Sequence, residues 1–74
     1  MRSTRIVNPT VLGDVLRAAR LQRGVSQREL ADHLGVSQRY IVEIERGKPT
    51  KAIDRLFEYM RETGVSLYAE VGDD

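Results

Sequence analysis

The chain is 74 residues long with a net charge of +1, the size of one small domain, which buries only ~60% of its unfolded surface and gains from a second copy. It contains no cysteine and a single histidine, His33, which excludes disulfides, thiolate metal sites and an all-histidine zinc site. No apolar run approaches the ~20 residues of a membrane span and no secretory signal opens the chain, so a cytoplasmic location without a membrane partner is expected.

Residues 1–8 read as an N-terminal arm, either a frayed terminus or a segment whose Arg2 and Arg5 touch phosphate or a minor groove. A helical domain is expected over residues 9–64. Asn8 is a good N-cap with Pro9 at the first helical position. Helix one runs to about Arg23, with Leu12, Val15, Leu16 and Ala19 inward and Gly24 as its stop. Gly13 weakens this helix by up to ~1 kcal/mol relative to alanine, so a close packing contact is expected there.

Ser26 caps helix two, with Glu29 placed to complete a capping box. Leu30, Ala31 and Leu34 form its stripe before Gly35 ends it. Ser37 caps helix three two residues later, and Ile41 and Ile44 are its inward pair. Two short helices joined by so tight a turn are a helix-turn-helix, which presents the second helix to the DNA major groove. His33 reads as a surface residue. Helix four is capped by Thr50, carries Ile53, Leu56, Phe57 and Met60 inward, and closes at Gly64.

Residues 65–71 alternate, with Val65, Leu67, Ala69 and Val71 on one face and Ser66, Tyr68 and Glu70 on the other. This is the only strand pattern in the chain, and a lone strand leaves its backbone groups unpaired. Its partner is therefore expected to be the same strand of a second copy. Residues 65–74 become a C-terminal dimerisation strand with an acidic end.

Charge is distributed unevenly. Residues 1–51 carry a balance of +5 and residues 52–74 one of −4, which fits a DNA-facing surface on the first part. With Ile41 and Ile44 inward, the outward start of helix three holds Ser37, Gln38, Arg39, Val42 and Glu43 as base contacts. Glutamine pairs bidentately with adenine and arginine with guanine, while Val42 suits a thymine methyl and Glu43 a cytosine amine. Arg46, Lys48 and Lys51 follow the helix and suit flanking phosphates. Tyr40, read as facing away from Ile41 and Ile44, is a phosphate contact or a solvent-facing ring. No phosphate-cradling glycine loop, nucleophile–base set or metal-ligand cluster is present, so no enzymatic activity, metal or cofactor is expected. Glu43 and Glu45 are two residues apart on one helix and cannot act as a pair.

Residues 12–63 resemble the XRE-type family of phage and bacterial repressors. The resemblance rests on Gln27 and Gln38 opening the two helices, on Leu30-Ala31…Gly35-Val36-Ser37, and on Glu45-Arg46-Gly47. It implies a mainly α, four-helix lambda-repressor-like DNA-binding domain, here followed by a β-strand forming an intermolecular sheet in a homodimer. It also implies an ion pair between Arg20 and Glu45 that ties helix one to the end of helix three. Gln27 would contact phosphate and brace Gln38. Four helices and a strand, opened by Asn8-Pro9-Thr10, look like HipB-type antitoxins. That likeness implies a nucleoid-associated repressor of its own operon, bound to a two-fold symmetric double-stranded operator and to a kinase-like toxin. A phage-type or restriction–modification controller without a toxin is an alternative, as is a protein-interaction module that has lost DNA contact.

Overall fold

The helices begin where a short side chain can satisfy their first free backbone N–H groups. The computed structural model describes residues 2–48 and 50–72. In chain order the elements are β1 (Arg2–Ile6), α1 (Pro9–Gln22), α2 (Gln27–Leu34), α3 (Gln38–Glu45), α4 (Lys51–Thr63) and β2 (Leu67–Val71). Asn8 Oδ1 accepts from the Val11 N–H, Ser37 Oγ from Tyr40 and Thr50 Oγ1 from Ile53. At α2 the capping box is complete: Ser26 Oγ accepts from the Glu29 N–H and Glu29 Oε1 from the Ser26 N–H, each at 3.0 Å. Gly35 ends α2 at φ +69°, a left-handed conformation that glycine adopts without strain.

Residues 2–6 are not an arm. They form β1 and pair antiparallel with β2 in the register Ile6–Leu67, Thr4–Ala69 and Arg2–Val71. The expected intermolecular sheet is thus an intramolecular two-stranded one, and the strand assigned to dimerisation already has its partner. The sheet lies on one side of α1. Thr4 and Val71 border Val11, Val15 and Ala18, and Gln22 Nε2 donates to the Gly72 carbonyl. Half-buried Ala69 and Val71 belong to this intrachain packing, while Leu67 and Val65 are 39% and 56% exposed. The acidic end at Asp73 and Asp74 lies outside the described residues.

Two separate apolar clusters result. Ala31 and Ile41 are buried where α1, α2 and α3 meet, and Ile6 and Phe57 where the sheet meets α4. The stripe predicted for helix one is split between these sides: Val15 faces the sheet, whereas Leu12, Leu16 and Ala19 face α2 and α3. No helix among the described residues is long and apolar enough to cross a membrane.

Candidate nucleic-acid interface

The presentation of α3 is set from behind. A Cβ added at Gly13 would lie 2.5 Å from the Ile44 carbonyl oxygen and 2.7 Å from that of Glu45. Only glycine lets α1 approach the last turn of α3 this closely, which is the packing contact expected for it. Glu45 is buried there, and Arg20 grips it bidentately, Nε donating to Oε2 at 2.6 Å and Nη2 to Oε1 at 3.0 Å. Arg20 Nη1 also donates to the Val25 carbonyl at 2.8 Å, tying in the segment before α2. The side chains of the pair are 9% and 5% exposed. The predicted ion pair is therefore present, with planar charge-assisted geometry.

Gln27 joins this network. Its Nε2 donates to Glu45 Oε1 at 3.1 Å, so the glutamine expected to brace Gln38 braces Glu45 instead. Two hydrogen-bonding neighbours hold the Glu45 carboxyl below its ordinary range, Arg20 more strongly than burial opposes it and Gln27 adding to the effect. Arg20 and Gln27 thereby join α1 and the start of α2 to the end of α3 through one carboxylate. Gln27 was not recognisable as a ligand of Glu45 from spacing, because that contact depends on how α2 crosses α3.

The opposite face of α3 is open. Gln38 and Arg39 are exposed, and Val42 and Glu43 are half-buried beside them. Residues 39, 42, 43 and 46 follow the i, i+3, i+4, i+7 spacing of a single helix face. Ser37 stands at the entrance of that face, with its oxygen engaged as the N-cap. Glu43 bridges two cations, Lys48 Nζ at 2.9 Å and Arg39 Nε at 3.3 Å. The Lys48 contact, and then the Arg39 charge, keep its carboxyl below the ordinary range despite partial burial. In the free protein Glu43 therefore occupies the residues expected to read a base and to bind a phosphate. Arg46 and Lys51 are exposed at the two sides of the following loop.

Tyr40 is placed differently from the expectation. It lines the walls shared with Ile41 and Ile44, at 51% exposure. It lies between Ile44 and Glu43 around the helix, and it also lines a hollow with Glu43, Lys48 and Thr50 at the edge of the reading face. His33 is exposed, as expected, and no cluster of metal-binding side chains occurs among the described residues.

A family model described as Helix-turn-helix matches residues 16–69. The chain belongs to this helix-turn-helix family. Relatives match the chain at two levels of similarity. An uncharacterized HTH-type transcriptional regulator, y4mF, from Sinorhizobium fredii is 36% identical over 63 residues, covering 85% of this chain and 83% of that protein. The transcriptional regulator ClgR of Mycobacterium tuberculosis is 53% identical over 38 residues, which are 51% of this chain and 34% of ClgR. No solved structure gives a significant match.

Proposed function

We propose that this chain is a DNA-binding transcriptional regulator that acts as a homodimeric repressor, with α3 in the major groove. The observation that carries this reading is the division of labour on α3. Its back is fixed by the Gly13 contact and the Arg20–Glu45–Gln27 network, while its front offers Gln38 and Arg39 to solvent, with half-buried Val42 beside them. Rigid presentation of a few base-reading side chains is what direct readout requires. The transcriptional regulators y4mF and ClgR among its relatives support the same reading.

Gln38 and Arg39 are proposed as base readers, with Val42 beside a thymine methyl. Arg46, Lys48 and Lys51 are proposed on flanking phosphates, and Gln27 at the edge of the same surface. Glu43 acts as a gate on this surface, because Arg39 and Lys48 must exchange its carboxylate for DNA. Two copies are needed because one helix in one groove binds weakly, while half-sites about 34–36 Å apart give usable specificity. Footprinting on the DNA upstream of the chain's own reading frame tests the proposal. Two protected half-sites support it, and uniform, sequence-independent protection rejects it.

The finer reading is a HipB-type antitoxin that represses its own operon and holds a kinase-like toxin. The opening Asn8-Pro9-Thr10 and the four helices followed by β2 support it, whereas the pairing of β2 with β1 of its own chain departs from it. Co-purification with the product of an adjacent reading frame, and relief of that product's toxicity, test it. Repression without any such partner favours a phage-type or restriction–modification controller.

A further inference from the structure

Beside the buried Ile41 and Glu45, the side of α3 that faces away from the reading surface borders an open cleft. Leu12, Leu16, Leu30, Leu34, Ile41 and Ile44 wall a cleft of about 470 Å³ between α1, α2 and α3. Leu16 and Leu34 remain 42% and 60% exposed. These are the side chains whose spacing marks them as core, and no described residue of α4 lines the cleft.

The same chain carries a surface of matching kind. At 100° per residue, Ala52, Ile53, Leu56, Tyr59 and Met60 share one face of α4, centred on Leu56. Only the edge of that face is covered: Phe57 is buried at 4% exposure against the Ile6 side, whereas Leu56 and Tyr59 are 52% and 68% exposed. The helix is also held away from the cleft of its own chain. Phe57 and Met60 border Ile6, Val7 and Val65, and three residues after α4 the chain enters β2, paired along five residues with β1. That sheet packs on the Val11–Val15–Ala18 side of α1, about a quarter turn from the Leu12–Leu16–Ala19 side that forms the cleft. Filling the cleft with the chain's own α4 requires giving up the Phe57 burial or the strand ladder.

We infer that the cleft is occupied by α4 of a second copy, the two copies exchanging their fourth helices about a two-fold axis. This rests on the homodimer proposed above and specifies what holds it together. One polypeptide displays both an apolar groove lacking a helix and a helix lacking a groove, so two copies leave neither surface open. The chain needs no change of conformation, since α4 lies with Phe57 on its own sheet and Leu56 outward. A helix of 13 residues is about 20 Å long and 10–12 Å wide, so two reciprocal seats remove on the order of 1,000 Å² from water, counting both surfaces. This reaches the ~1,000 Å² that a specific interface clears. The exchanged helices would also back Ile41 and Ile44, stiffening the two recognition helices on one axis.

The chain has no cysteine, so engineered thiols report unambiguously. Full-length Leu34→Cys and Leu56→Cys chains are unfolded together, refolded as a mixture and treated with a short bis-maleimide, alongside sedimentation of the unsubstituted protein. The expected product is a covalent dimer of about twice 8.4 kDa formed only on mixing. The pair Leu16→Cys and Leu56→Cys repeats the test if Leu34→Cys does not refold. A Leu34→Cys/Leu56→Cys chain that cross-links within itself overturns the exchange, because α4 then fills its own cleft. A dimer in sedimentation without mixed cross-linking also overturns it, leaving the homodimer intact but placing its interface elsewhere. A monomer in sedimentation rejects the homodimer and the exchange together.

Discussion

Gly13→Ala sets two effects of opposite sign against each other. Replacing a helical glycine by alanine stabilises a free helix by up to ~1 kcal/mol. At this site the new Cβ would meet Ile44 O at 2.5 Å, Glu45 O at 2.7 Å and Glu45 C at 2.9 Å. All three are backbone atoms that no rotamer change can move aside. Comfortable contact between heavy atoms begins near ~3.5 Å, so α1 and α3 must part by roughly 1 Å. Overpacking of that kind costs about 1–3 kcal/mol, and the separation also lengthens the Arg20–Glu45 contacts. The steric cost wins, and a net destabilisation of about 1–2 kcal/mol is expected. In a domain of this size each kcal/mol lowers Tm by about 4–8 °C. Thermal unfolding followed by circular dichroism measures this, with operator affinity falling in the same variant because α3 is displaced. A Gly13→Ala chain with a Tm equal to or above the parent's refutes the close contact.

Further outcomes follow from the charged groups. Because Arg20 holds the Glu45 carboxyl below its ordinary range, the pair's contribution is complete above that range and is lost as pH falls through the lowered value. Parent stability should fall in acid, and Glu45→Gln should flatten that limb while lowering Tm at neutral pH more than Glu62→Gln does. Gln38→Ala and Arg39→Ala should each cost about 1–3 kcal/mol on the preferred DNA and little on random DNA, read by anisotropy titration. Lys48→Ala should weaken both alike and reduce the salt slope by about one. Glu43→Gln should strengthen binding to all sequences at low salt, since it releases Arg39 and Lys48 from their carboxylate. Unchanged affinity in that variant would show that the bridges do not compete with DNA.

The helices were legible because their punctuation is local. Asn8, Ser26, Ser37 and Thr50 each cap the helix expected of them, and Gly35 and Gly64 adopt the left-handed ends. The Arg20–Glu45 tie came from the family pattern and is present at 2.6 Å. The first strand was not legible. Arg2-Ser3-Thr4-Arg5-Ile6 contains one strongly apolar residue, so its period of two carries almost no hydrophobic signal, and pairing with β2 alone reveals it. β2 does need a partner, and the start of the same chain supplies it. Tyr40 lies beside Ile44 rather than away from it because the two are one turn apart on α3, and its half-exposed ring also borders Glu43 and Lys48. The open Leu16, Leu34 and Leu56 follow from where the sheet holds α4, which no helical periodicity encodes.

Selection of preferred sites from a random DNA library by the full chain, repeated with the Gln38→Ala/Arg39→Ala variant, tests most directly whether α3 reads sequence. The parent should converge on an inverted repeat with half-site centres about one helical turn, 34–36 Å, apart. The variant should lose that preference while retaining salt-sensitive binding. Failure of the parent to converge, or convergence of both proteins on the same site, would contradict readout through α3.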